Sequence, residues 1–261
     1  MLLKSTLLLI VCFTFVFQAS HADERKFNYV YQSNVLNKGH RDLEVWTTGR
    51  IGKNTGYYAA LDHRVEFEIG LSKKLQSAFY LNFSQTKTDK SGTMQSFFEF
   101  QGISTEWKYQ VSNPYTDAVG FGLYSELSLN TDRAELETKL IFDKKIGKTT
   151  LALNVTAEPE WDLGLPSDLE FKQENAFGLS NAISNNFSAG FEIRQHNVFV
   201  DGELEHSSLF GGPVLSYTEQ NWFVNLTVLP QLAAMKKING QKLDLVEYEK
   251  LEMRLLLSFA L

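Results

Sequence analysis

Cysteine is nearly missing from this chain: its 261 residues hold one, Cys12. Proline (5) and glycine (17) are sparse, which excludes collagen-like and low-complexity chains. Beyond the N-terminus no run of 18 or more apolar residues occurs, which argues against spanning helices. Basic residues are outnumbered, 25 Lys and Arg against 31 Asp and Glu, for a formal charge of −6. That balance speaks against nucleic acid as a partner and against simple electrostatic docking on anionic lipid. Disorder is excluded by what is present. Hydrophobic residues make up 43%, and 20 Phe and 10 Tyr make the chain rich in aromatics.

The N-terminus reads as an export signal. Lys4 supplies a short positive start, Leu7 to Phe17 is apolar apart from Thr14, and Ser20-His21-Ala22 offers small residues at a cleavage site. This predicts a secretory signal peptide over residues 1–22, followed at once by the polar Asp23-Glu24-Arg25-Lys26. Val11 before Cys12 stands where a lipoprotein signal wants a small residue, so lipidation is not expected. Cleavage removes the one cysteine, so the exported chain would have no disulfide. It also removes Lys4 and no acid, taking the formal charge from −6 to −7.

The rest alternates. From Tyr57 to Leu71, one face carries Tyr57, Ala59, Leu61, Val65, Phe67, Ile69 and Leu71, and the other carries Asp62, Arg64, Glu66 and Glu68. That is the period of a strand, not of a helix. The same pattern recurs at 75–84, 119–129, 134–146, 149–160, 187–196 and 245–261, and more weakly at 43–51, 97–111, 169–182, 209–218 and 222–234. About twelve strands follow. Many runs are longer than the roughly 5–6 residues of a soluble strand and match the roughly 9–11 that cross a bilayer.

Connections alternate too. Ser72-Lys73-Lys74, Gly147-Lys148, Ser184-Asn185-Asn186 and Glu219-Gln220-Asn221 read as tight turns. Lys87–Gln95, Trp161–Asp168, His196–Ser207 and Lys236–Asp244 read as longer polar loops. Short turns at one end, long loops at the other and aromatics near strand ends are the pattern of an outer-membrane barrel. Backbone groups in hydrocarbon must all be paired, and strands achieve that only in a closed barrel. The expected fold is therefore all-β: a transmembrane, antiparallel, up-and-down barrel over residues 42–261, preceded by a polar periplasmic arm or plug over 23–41. A soluble barrel with its apolar face inward gives the same alternation; strand length and loop asymmetry favour the spanning reading.

Two resemblances bear on this. Leu255-x-Leu257-x-Phe259-x-Leu261 resembles the C-terminal signal read by the barrel-assembly machinery, although that signal usually ends in an aromatic. The stretch Tyr31–Leu81 resembles a family of uncharacterised bacterial outer-membrane barrels. It does so through Ser33-Asn34-Val35-Leu36-Asn37-Lys38-Gly39, Glu44-x-Trp46-Thr47-Thr48-x-Arg50 and Glu68-x-Gly70-Leu71-x-x-x-Leu75-Gln76-x-Ala78-x-Tyr80-Leu81. The resemblance implies a Gram-negative outer-membrane location and a porin- or transporter-like barrel, and carries no activity.

Candidate chemistry is thin. His206 and Ser208 lie two apart, hence on one strand face, and resemble the His-x-Ser of outer-membrane phospholipases, but Leu209-Phe210 replaces the Asn-Gly of those enzymes. No third group to orient the base is evident, so no catalytic residue is assigned. No His-x-His or Cys spacing marks a metal site, and no cofactor motif is present. Acidic groups at Glu160, Asp162, Asp168 and Glu170, and at Asp201, Glu203 and Glu205, could bridge divalent cations to lipopolysaccharide. The informative set is the polar face. Arg64, Glu66, Glu68, Glu106, Lys108, Glu126, Glu137, Lys139, Glu192, Arg194, Glu252 and Arg254 would line the interior. Charges there set selectivity in a wet pore and must pair in a dry one. The expected function is a narrow channel or transporter for small hydrophilic solutes. The alternatives are a structural or adhesive barrel and an outer-membrane lipid hydrolase.

Overall fold

The computed structural model describes residues 25–54, 56–90, 93–164 and 169–261. The expected signal peptide lies outside them. Twelve strands are present among the described residues: β1 (Arg41–Ile51), β2 (Tyr58–Gly70), β3 (Leu75–Lys90), β4 (Thr93–Ser112), β5 (Gly120–Asn130), β6 (Arg133–Ile146), β7 (Thr149–Asp162), β8 (Leu169–Ala182), β9 (Phe187–Val200), β10 (Glu203–Thr218), β11 (Trp222–Ala234) and β12 (Leu251–Ala260). Each pairs antiparallel with its neighbours in sequence, and β12 returns to β1 to close the barrel.

The pleat then sorts the side chains. Phe67, Phe79, Leu123, Leu153, Phe191 and Leu255 point outward, and Phe67 is 40% exposed. The residues between them point inward: Glu66 is 1% exposed, and Glu126, Asn154 and Glu192 are buried. A soluble barrel would bury the apolar set. This one leaves it bare around the circumference, the arrangement that hydrocarbon rather than water makes favourable. His63, on the outward parity, is matched across the ladder by Thr47, whose hydroxyl lies 3.1 Å from its Nδ1.

The connections at 71–74, 147–148, 183–186 and 219–221, together with 113–119 and the start of β1, mark one end. At the other end three expectations are corrected. The segments Lys87–Gln95 and His196–Ser207 are not loops: β3 and β4 pair out to Lys90↔Thr93, and β9 and β10 pair out to Val200↔Glu203. Beyond the rim, water can solvate both faces of a ribbon, so polar residues on both sides do not disqualify a strand. β4, with 20 residues, is about twice the length hydrocarbon requires. The final run also begins later than the alternation suggested. Leu245 and Lys250 belong to the connection 235–250, held inward by Gln231, whose amide donates to the Asp244 and Glu249 carbonyls at 2.9 and 3.1 Å.

Residues 25–40 enter the barrel. Phe27, Tyr29, Val30, Tyr31 and Leu36 are buried, so this stretch is less polar in its contacts than its first residues suggested. Phe27 and Val30 pack with Ala152, Ala176 and Val214; Tyr31 packs with Trp46, Tyr124 and Phe223. Small wall residues make the room. A Cβ at Gly178 would lie 2.7 Å from the Phe27 ring, and one at Gly70 would lie 2.1 Å from the Asn37 carbonyl oxygen.

Two outcomes follow from this architecture. Unboiled protein should migrate differently from boiled protein on SDS gels, and identical mobility would contradict a closed barrel. Leu123→Arg, on the outward face of β5, should destabilise the barrel in lipid by about 2–4 kcal/mol in a denaturant titration if it sits at mid-membrane, while the inward Asn82→Ser should cost far less.

Candidate functional site: a charged vestibule above an internal arm

The arm is held by polar groups that alternation alone delivers to the lumen. Glu192 on β9 accepts the backbone N–H groups of Tyr29 and Val30 at 2.8 and 2.9 Å, and its other oxygen accepts the Thr227 hydroxyl at 2.7 Å. Asn154 on β7 makes a two-way bond with the Tyr31 backbone, at 2.6 and 3.0 Å. Gln76 on β3 accepts the Leu36 N–H at 2.9 Å. The Arg194 and Arg254 guanidinium groups both lie over the Tyr29 ring, at 3.9 and 4.0 Å from its centroid. Such contacts satisfy an irregular backbone that would otherwise be costly to enclose.

Glu192, Asn154 and Gln76 lie towards the tight-turn end of their strands, so the arm fills that half of the lumen. Above it, towards the longer connections, is a cavity of about 650 Å³ whose lining includes Tyr29 and Tyr31. The connection 235–250 leans over this mouth. Lys53 donates to the Glu247 carbonyl at 2.8 Å, and Tyr248 is buried against His196, His206 and Phe210. Burial pushes the Glu249 carboxyl above its ordinary range, an effect opposed by nearby Arg50 and Lys53.

The sequence-derived residues divide between two levels. Arg64, Glu126, Glu137, Lys139, Arg194, Glu252 and Arg254 line the vestibule. Most are paired: Arg64 lies 2.7 Å from Glu126, Lys139 pairs with Glu137, and Arg194 bridges Glu174 and Glu252 at 2.8 and 2.7 Å. Arg254 donates to the Thr48 hydroxyl at 2.8 Å. Glu66, Glu68, Glu106 and Lys108 are buried on the wall and do not reach the vestibule; Glu192 is committed to the arm.

Alternation could have named several further lining residues. Arg50, Glu174 and His196 sit on the inward parity, but β1 and β8 were weak runs, and the histidines were read as scattered. Tyr29, Tyr31 and Tyr248 carry no such signal, because a segment without a period gives no side. Among the described residues of the vestibule, nine carboxylates face seven Lys and Arg.

The His206 region gains a partner. Asp244 lies 2.6 Å from His206 Nδ1, a third polar group that spacing did not reveal. Ser207 donates to Asn197 at 2.7 Å. Ser208, however, is fully buried, its hydroxyl makes no hydrogen bond, and neither residue lines the vestibule. This group therefore presents no serine hydroxyl to the vestibule.

Twelve strands with bare apolar exteriors and a filled, charged interior define a barrel of the outer-membrane type. The chain belongs to the family of unknown function DUF6662, whose model matches residues 19–261. Comparison with curated protein sequences finds no match. Among solved structures it is similar to the NanC porin, with a TM-score of 0.54 and 14% identity over 84% of this chain and 100% of that one. It is also similar to the translocator domain of the autotransporter NalP from Neisseria meningitidis, with a TM-score of 0.51 and 10% identity over 87% of this chain and 90% of that one. At these identities the likeness is one of fold.

Glu192→Ala should loosen the arm, because it orphans two buried N–H groups at about 1–3 kcal/mol each. A cysteine introduced at Val30 should react faster with a soluble maleimide in the Glu192→Ala background. Unchanged labelling would mean that the carboxylate is not what holds the arm.

Proposed function

We propose that this protein is exported to the outer membrane of a Gram-negative cell and forms a narrow, gated passage for small hydrophilic solutes, with residues 25–36 as the closure. The carrying observation is the arm's mode of attachment. It is seated by hydrogen bonds and aromatic contacts to a wall of polar and charged side chains, many of which also bond to one another. A wall of this kind can be rewetted when the arm leaves, because charged groups facing water cost little. A lumen built only to be filled would be served as well by apolar residues, which avoid the desolvation of buried charges.

In this reading the tight turns face the periplasm and the vestibule faces outward, where it receives the solute. Lipid and lipopolysaccharide surround the barrel, and the C-terminal strand is the segment offered to the assembly machinery. The mixed signs of the vestibule suit a polar solute carrying both donors and acceptors, and the surplus of carboxylates gives a mild cation preference. The structural or adhesive alternative draws on the same arm, since a permanently seated arm leaves no path.

A planar-bilayer recording separates them. The intact protein should show rare, discrete openings, and a variant lacking residues 25–36 should show a larger, persistent, weakly cation-selective conductance. Silence of both forms across salts and voltages, with the barrel still heat-modifiable on gels, would leave the structural reading in place.

A further inference from the structure

Beneath the vestibule, the inner wall of β1 and β2 carries a group of acids that the passage does not use. Glu44 and Glu66 face each other across the ladder, and Glu68 follows on the same face. All three are more than nine-tenths buried, and an oxygen from each lies within 4.8 Å of the others. The three are not equally satisfied. Glu44 accepts the Trp46 indole N–H at 3.0 Å and has Arg25 at 3.8 Å. Glu68 accepts the Gln76 amide at 2.9 Å. Glu66 is 1% exposed, and neither of its oxygens has a donor apart from the neighbouring Glu68 carboxyl, which can hydrogen-bond it only by one of the two holding a proton. A carboxylate shut away from water without a donor is among the costliest arrangements a fold can contain. Here it stands between two more carboxylates.

We infer that Glu44, Glu66 and Glu68 form a site for one hard divalent cation, of which calcium fits best. The donor set is all carboxylate, with no imidazole or thiolate, which selects calcium or magnesium over the softer metals. Two oxygens bound to one calcium at roughly 2.3–2.6 Å can lie up to about 5 Å apart, which accommodates the observed group; magnesium requires a tighter octahedron and holds more of its water. A cation there gives Glu66 a directly bound positive partner, where Arg25 acts on it only through space. It would also fix β1 to β2 beside the arm's Arg25.

A second acidic group, Glu135, Glu158 and Glu160, is equally close-set, but Glu160 is already bridged by Arg133 and Lys172. It therefore serves as the internal control. The linear sequence conceals the first site because its residues come from two strands, and alternation presents Glu66 and Glu68 only as ordinary lumen charges.

Terbium tests the assignment in the full-length exported barrel in detergent after chelation. Trp46, bonded to Glu44, is placed to sensitise terbium emission. Emission should rise to saturation at one ion per chain and be displaced by calcium. It should be lost in Glu66→Gln and kept in Glu160→Gln. Calcium should also raise the unfolding temperature of the chelated wild type. If Glu66→Gln does not fold, the wild-type measurements decide alone. Absence of saturable emission together with equal melting in calcium and chelator overturns the site. So does undiminished emission from Glu66→Gln. Greater stability of Glu66→Gln than of wild type in both conditions would point to a proton shared between carboxylates instead.

Discussion

Every backbone N–H and C=O that crosses hydrocarbon must find a partner within the protein, and closure of β12 onto β1 is how this chain meets that demand. The remaining features follow from it. A closed ladder leaves only two directions for a side chain, so the sequence needs just one alternation to make both a greasy exterior and an ionic interior. Leu43, Val45 and Thr47 on β1 share one direction; Asp42, Glu44 and Trp46 share the other. The exterior needs no specific contacts. The interior does, because a lumen of twelve strands is too wide for side chains alone to fill and too narrow to leave its charges fully hydrated.

The arm resolves that conflict. It brings Phe27, Tyr29 and Tyr31 into the space, and it brings backbone donors to carboxylates such as Glu192 that face no cation of their own. Aromatic rings are well suited to this role, because their faces accept guanidinium groups while their edges pack on apolar neighbours. Arg194 illustrates the economy: its nitrogens bridge Glu174 and Glu252, and its plane covers Tyr29. The same wall is polar and charged, so seating the arm does not require an apolar lumen.

How much of this was legible beforehand depended on periodicity. Wherever hydrocarbon imposes a strict two-residue repeat, as over Val65-Glu66-Phe67-Glu68, strand, face and direction could all be read. Where that pressure ends, the reading failed. Lys87–Gln95 looks like a loop because both faces of the projecting β3–β4 ribbon are polar, and Leu245 looks like strand because its parity happens to agree with β12. The vestibule was half visible: Arg64, Glu126 and Arg194 carry the alternation, whereas Tyr29, Tyr31 and Tyr248 lie in aperiodic segments whose positions are set by tertiary contacts alone. Pairings such as Glu44 with Glu66 needed the register, which sequence alternation leaves open to shifts of two residues.

The placement of the arm also constrains the order of assembly. It immediately precedes β1, yet its anchoring groups are Asn154 on β7 and Glu192 on β9, the latter more than 160 positions further along the chain. Contacts so remote in sequence cannot form until most of the wall exists, so the arm is seated late in folding. The N-terminal segment adjoins the tight-turn rim, so it can seat from that open end whether or not β12 has met β1. A segment that grips β7 and β9 from within also ties the first strand to the far side of the cylinder, so its seating reads out completion of the sheet.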